Sequence, residues 1–270
     1  MNVRRTVSVM RVVGELPASH PGVVRVVRDL SRGDVLLGEG RSACPAASAI
    51  KVPLLAWVLQ HVQDRRMSLG ERVPVRAENR VPGLGVLHAL DAGLTLTCRD
   101  VPTLMTIVSD STATNLVVER VRPGDVNAFS RDASLHGTES IGPLQLPPER
   151  QNTQQRGGAQ PHHGSDQAKL LYRLVRSEFL MPGMTSVALG IMAGQQHLGV
   201  IGRSVPRHRD RELPYRVASR TGELLGARLG AGIVWTLRLL VPCSARGAWI
   251  RASIRRIATC VFSRVLAKRA

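Results

Sequence analysis

Apolar and polar positions change rhythm several times along the chain. Between Gly22 and Gly40, "GVVRVVRDLSRGDVLLGEG" alternates apolar and polar residues around Ser31-Arg32-Gly33-Asp34, which predicts a β-hairpin. From Ala47 to Gln63 the spacing lengthens to three and four, with Ile50, Leu54, Leu55, Val58 and Val62 on one face, and predicts a helix. "RDVPTLMTIVSD" predicts a helix that stops at Ser109-Asp110, and "STATNLVVERV" a second one capped by Ser111 or Thr112. Pro123 sits at the first turn of a further helix over "PGDVNAFSRDASL". Residues 136–165 carry Pro, Gln, Gly and His without periodicity and read as a long loop, a length that points to function in a compact domain. Helical spacing returns in "DQAKLLYRLVRSEFL".

The last part of the chain reads differently. "YRVASRTGE" and "AGIVWTLRLLV" predict neighbouring strands joined through "LLGARLG". "AWIRASIRRIATCVFSRVL" places Trp249, Ile250, Ile254, Ile257, Val261, Val265 and Leu266 on one helical face and predicts a terminal helix, which leaves "LRLLVPCSAR" to serve as the last strand. Strands near both chain ends with helices between them imply an α/β (α+β) fold. One antiparallel sheet is built from both termini, helices flank it, and an all-helical subdomain is inserted in the middle. The expectation is a single domain over residues 1–270, with its α/β part at approximately 1–50 and 190–270 and its helical part at approximately 51–189.

Composition narrows this picture. A chain of 270 residues, 43% of them hydrophobic, can bury a full core, and with only three Trp, two Tyr and three Phe that core falls to Val, Leu, Ile and Ala. No run of eighteen apolar residues occurs, so no membrane span is expected. "MNVRRTVSVMRVVGELPASHPG" shows no uninterrupted apolar stretch and no cleavage site, so no signal peptide is visible. The chain as written reads as cytoplasmic, and as periplasmic or secreted if its start is truncated. The net charge is +17, and nine basic residues but no acidic one follow Glu223. A nucleic-acid surface would pair such charge with aromatic platforms or a recognised motif; neither is present, and no nucleic-acid partner is expected. The terminal amphipathic segment reads as packing on the sheet rather than as a membrane anchor. Cys44, Cys98, Cys243 and Cys260 form no metal-ligand spacing, His162 and His163 fall in the loop, and neither metal nor cofactor is expected.

Against an arginine-dominated background, lysine occurs only at positions 51, 169 and 268. Ser48-Ala49-Ile50-Lys51 is an SxxK motif, and on a helix positions i and i+3 share a face, so the amine can reach the hydroxyl. Desolvation beside a helix start lowers a lysine pKa and lets the amine accept a proton from a weak nucleophile. In isolation, Ser48 at a helix start reads by default as a plain N-cap. Ser109-Asp110-Ser111 follows at a helix-to-helix junction, and Arg220-Thr221-Gly222 stands on a predicted strand just before Glu223. Gly222 lets a ligand approach the strand edge, while a cation and a hydroxyl beside it suit a carboxylate.

In that order, and with the flanks "CPAASAIKVPLL", "LTLTCRDVPTLMTIVSDSTATNLVVE" and "VASRTGELLGARLGAGIV", the chain resembles the class A β-lactamases and related penicillin-binding serine hydrolases. The resemblance implies Ser48 as the acylated nucleophile, Lys51 as its proton acceptor, and Ser109 as proton donor to the leaving nitrogen. It implies an oxyanion hole from the backbone N–H groups of Ser48 and Glu223, with Ser111, Arg220, Thr221 and Gly222 binding substrate. Three positions depart from the family pattern: Ser111 stands for its usual Asn, Arg220 for its usual Lys, and "LPPERQN" where a water-activating Glu precedes Leu-Asn. Glu149, followed by Asn152, is the nearest candidate for that Glu. Asp110 is expected to brace its loop and Asn115 to bond backbone. The implied function is hydrolysis of a β-lactam amide through a Ser48 acyl-enzyme, by a monomer acting on a small-molecule acyl substrate. The alternatives are a penicillin-binding or other acylase that releases its adduct slowly, and an inactive binding paralogue.

Overall fold

A computed structural model of the protein describes residues 23–30, 35–38, 43–45, 47–121, 123–146, 148–152, 161–197, 201, 215–224, 227–236 and 255–265. The apolar alternation of the first segment forms β1 (Val23–Asp29) and β2 (Val35–Gly38), an antiparallel pair as the pattern predicts. β3 (Ala43–Pro45) leads to a single 3-10 turn, Ala47–Ile50, and then to α1 (Lys51–Gln63). Downstream lie β4 (Arg72–Pro74), β5 (Thr95–Thr97), α2 (Asp100–Ile107), α3 (Ser111–Arg120) and α4 (Pro123–Asp132). β6 (Pro161–His163), α5 (Gly164–Val175), α6 (Pro182–Ala193), β7 (Tyr215–Leu224), β8 (Ala227–Thr236) and β9 (Arg255–Val265) complete the order.

Five strands form one antiparallel sheet in the order β2-β1-β9-β8-β7, so both ends of the chain meet in it as expected. The terminal helix predicted over 248–266 is corrected: residues 255–265 are a strand, and a central one. β9 pairs with β8 from Thr236↔Arg255 to Ala227↔Val265 and with β1 from Asp29↔Ile257 to Val23↔Arg264. Apolar residues three and four apart are compatible with a helix, but Ile257, Thr259, Val261 and Val265 are β-branched, and two flanking strands supply every ladder partner a strand needs. The strand expected in "LRLLVPCSAR" lies outside the described residues. β7 and β8 also run further than predicted, the last pair being Leu224↔Ala227, so most of "LLGARLG" belongs to strands.

Five elements escape the periodicity reading: the three-residue strands β3, β4, β5 and β6, and α6. α6 is apolar on most faces and presents no amphipathic stripe. β6 is three residues inside the expected loop; it pairs with β3 as Ala43↔His163 and Cys44↔His162, so the two histidines stand on a strand. The remainder of 136–165 holds only a short 3-10 turn, Pro148–Arg150, among the described residues.

α1 runs through the middle of the core, with every residue from Lys51 to Leu59 buried. Leu54, Leu55, Val58 and Leu59 share one apolar cluster with Met105 of α2, Leu116 and Val117 of α3, and Leu170, Leu171 and Leu174 of α5. Ala218 of β7 and Ile233 of β8 close the same cluster from the sheet side. The helix that carries the SxxK lysine is therefore fixed from all directions, at roughly 1.5–3 kcal/mol for each fully buried aliphatic side chain.

Asp110 ties the junction between α2 and α3 to the neighbouring loop. Its side chain accepts from Ala113 N at 2.8 Å, which makes Asp110 the cap of α3 in place of the expected Ser111 or Thr112. The same carboxylate accepts from Val86 N at 2.7 Å and Leu87 N at 2.8 Å. Gly85 makes this approach possible: φ is 101°, and a Cβ there would fall 2.3 Å from the Asp110 α-carbon. Asp110→Ala strands two partly buried loop N–H groups and uncaps a helix, so it is expected to lower the free energy of unfolding by about 3 kcal/mol in urea titration.

Candidate active site

The 3-10 turn Ala47–Ile50 opens on Ala47 with φ 45°, a left-handed residue that turns the chain so that Ser48 leads into α1. Ser48 is half-buried and Lys51, the first residue of α1, is 1% exposed. Gln167 of α5, equally buried, donates from Nε2 to Ala49 O at 2.9 Å and anchors the turn from behind. Nothing in the spacing of the motifs points to this glutamine, which acts on the turn across 118 residues of sequence.

Ser109 brings the first two motifs together. It sits between α2 and α3 with φ 60°, and this strained backbone aims its hydroxyl at Ser48, the two Oγ atoms lying 2.9 Å apart. Lys51 Nζ donates to Ser109 Oγ at 2.9 Å and to Ser109 O at 2.9 Å. Among the described residues no direct hydrogen bond joins Lys51 to Ser48. The amine meets the nucleophile through Ser109, one atom further along than i, i+3 spacing alone suggests.

Arg220 joins the third motif to the other two from β7. It is fully buried; Nε donates to Ser48 O at 3.1 Å, Nη1 to Thr106 O at 3.0 Å and Nη2 to Ser109 Oγ at 2.5 Å. Each of its three nitrogens thus gives one N–H to a protein oxygen. Thr221 Oγ1 donates to His197 O at 2.7 Å. Gly222 packs its bare α-carbon onto the nucleophile turn: a Cβ there would lie 2.9 Å from Ser48 N and 3.0 Å from the Ala47 Cβ. Glu223 pairs with Arg228 at the next position of the strand.

Two cations converge on this serine pair, and neither forms an ion pair among the described residues. Burial lowers the Lys51 pKa well below the ordinary lysine value, the positive charge of Arg220 lowers it further, and Asp110 opposes both more weakly. Burial also draws Arg220 down to about 9, which leaves the guanidinium charged at neutral pH. Of the two, the lysine is the one whose neutral form is favoured by both burial and a neighbouring positive charge. A hydroxyl, a second hydroxyl and an amine able to be neutral then form a continuous path for a proton.

Ser111 begins α3 with its N–H donating to Leu84 O at 2.9 Å. Asn115, one turn on, clamps residue 144 from both sides, donating to Leu144 O at 2.9 Å and accepting from Leu144 N at 2.7 Å, a backbone role as expected. Glu149 stands exposed on the 3-10 turn Pro148–Arg150 and makes no hydrogen bond to Ser48, Lys51 or Ser109 among the described residues. Asn152 turns to Ile141 O at 2.8 Å. The structure thus gathers Ser48, Lys51, Ser109, Arg220 and Gly222, and leaves Glu149 apart.

Comparison with known proteins places the fold. A crystal structure of a beta-lactamase from Sphaerobacter thermophilus DSM 20745 superposes with a TM-score of 0.74 at 25% identity, over 91% of this chain and 83% of the other. PBP-A superposes with a TM-score of 0.73 at 21% identity, over 97% and 87%. A PBP-A mutant in acyl-enzyme complex with penicillin G does so at 0.73 and 20% identity, over 99% and 90%. No curated protein matches. The model of the beta-lactamase enzyme family matches residues 8–243, and the chain therefore belongs to that family.

Proposed function

We propose that this protein is a serine hydrolase that opens a β-lactam amide through an acyl-enzyme on Ser48. The observation that carries the reading is the 2.9 Å contact between Ser48 Oγ and Ser109 Oγ, with Lys51 Nζ 2.9 Å from the latter. With Lys51 neutral, Ser48 Oγ attacks the carbonyl carbon while its proton passes to Ser109 and the Ser109 proton passes to Nζ. When the C–N bond breaks, the leaving nitrogen takes a proton from Ser109, which is resupplied by Lys51. The N–H groups of Ser48 and Glu223 receive the oxyanion; loss of one such donor costs roughly 3–4 kcal/mol in comparable sites. Gly222, having no Cβ, lets β7 lie close against Ser48 N. Arg220 orients Ser109 and the turn through three of its five N–H groups, and its buried charge draws the substrate carboxylate.

A second reading is favoured by one specific observation. The segment that Asn115 clamps beside Ser111 presents Leu144, an apolar side chain, while Glu149 is exposed and unattached to the serine pair. A site without a carboxylate held at the acyl-enzyme forms the adduct and releases it slowly, which is the behaviour of a penicillin-binding acylase.

Intact-mass spectrometry after exposure to benzylpenicillin is expected to show one adduct on the wild type and none on Ser48→Ala; an unmodified wild type contradicts the reading. Ser109→Ala is expected to slow adduct formation about 100-fold or more, because it removes the proton path. With a chromogenic cephalosporin, a burst of one equivalent without turnover selects slow release. Sustained turnover abolished by Glu149→Ala selects hydrolysis with that glutamate as its base.

A further inference from the structure

The end of α2 leaves three consecutive carbonyls, Thr106 O, Ile107 O and Val108 O, without partners inside the helix. One short segment after α6 takes all three. Gln195, 4% exposed, donates from Nε2 to Thr106 O at 3.1 Å, and Gln196 N donates to Ile107 O at 2.9 Å. The His197 imidazole meets Val108 O through Nε2 at 3.2 Å. A carbonyl oxygen only accepts, so this ring nitrogen carries the proton. The segment is braced within itself, His197 N donating to Gln195 Oε1 at 3.0 Å, and His197 O accepts the Thr221 hydroxyl of β7 at 2.7 Å. The first two bonds cap a helix. The third reaches the residue before Ser109, and it is made by an exposed imidazole that belongs to no core cluster.

The Val108–Ser109 peptide is a rigid plane, so whatever holds Val108 O also sets φ of Ser109. That φ is 60°, a left-handed value that an unrestrained serine leaves for the negative side, and leaving it swings the hydroxyl away from Ser48. The peptide on the other side of Ser109 is held by Lys51, whose Nζ donates to Ser109 O at 2.9 Å. Lys51 thus grips one flank of the strained residue and His197 the other. We propose that His197 is a positioning residue for the Ser109 hydroxyl. Its imidazole fixes the Val108–Ser109 peptide, and its backbone oxygen ties that peptide to Thr221, on the strand that carries Arg220. The group that acts is the ring N–H, not the bulk of the ring. This inference rests on Ser109 carrying the proton of the proposed reaction.

Two variants separate the N–H from the ring. His197→Phe keeps a flat ring and removes the donor, while His197→Gln places an amide N–H at the reach of Nε2. The time course of benzylpenicillin adduct formation on Ser48 is read by intact mass. His197→Phe is expected to lower its limiting rate about fivefold, the scale of one neutral hydrogen bond, and to leave the half-saturating concentration within about twofold. His197→Gln restores the bond and is expected to stay within about twofold of the wild type in both. A wild-type limiting rate in His197→Phe, or an equal loss in both variants, overturns the role of the imidazole. The geometry is also measurable without any reaction. In protein labelled with carbon-13 at the lysine ε position, the Lys51 resonance is expected to move in His197→Phe and to return in His197→Gln. An unmoved resonance in His197→Phe overturns the positioning. A wild type that forms no adduct on Ser48 overturns the proposed reaction instead, and the Lys51 comparison then decides the positioning by itself.

Discussion

Lys51 and Arg220 place two buried cations on a single hydroxyl, Ser109 Oγ, with no carboxylate paired to either among the described residues. Water would separate such charges; a buried site cannot, and the cheaper outcome is for one of them to lose its proton. Burial and the Arg220 charge both favour the neutral amine, which is what the proposed reaction asks of Lys51. That burial also has a cost in stability with a definite sign. Because burial depresses the Lys51 pKa, the folded protein binds fewer protons than the unfolded chain between that lowered value and about 10.4, so stability rises with pH across the window.

The fold exists in part to hold that cost in place. Ser48 comes from the turn before α1, Ser109 from the junction of α2 and α3, and Arg220 from β7, so the three motifs meet only if helices and sheet pack correctly. β7 reaches the turn as the edge of a sheet whose middle strand is β9 and whose far side is β1 and β2. Gln167 holds the turn from α5, and Asp110 holds the Ser109 junction against residues 86 and 87. Each support acts on the backbone next to a reacting group rather than on the group itself.

Much of this was legible in the chain. Helices α1 to α5 follow from apolar spacing, and the three motifs follow from local order, because each depends on residues near one another. What escaped depends on distant partners. β9 was misread because its apolar residues satisfy a helical wheel, and only its neighbours β1 and β8 decide for a strand. Asp110 replaced Ser111 as the cap because its carboxylate also serves a loop more than twenty residues away. Arg220 reads as a ligand for an outside anion, yet three of its five donors go to Ser48, Thr106 and Ser109, none of which lies within a hundred residues of it.

The scarcity of lysine makes the central claim directly measurable, since the chain holds only Lys51, Lys169 and Lys268. In a protein labelled with carbon-13 at the lysine ε position, the Lys51 resonance, identified by its loss in Lys51→Arg, can be followed through an NMR titration. A Lys51 midpoint well below the ordinary lysine value of about 10.4 is the predicted result. A midpoint at that ordinary value would contradict the account, because an amine that stays charged cannot take the proton of Ser48.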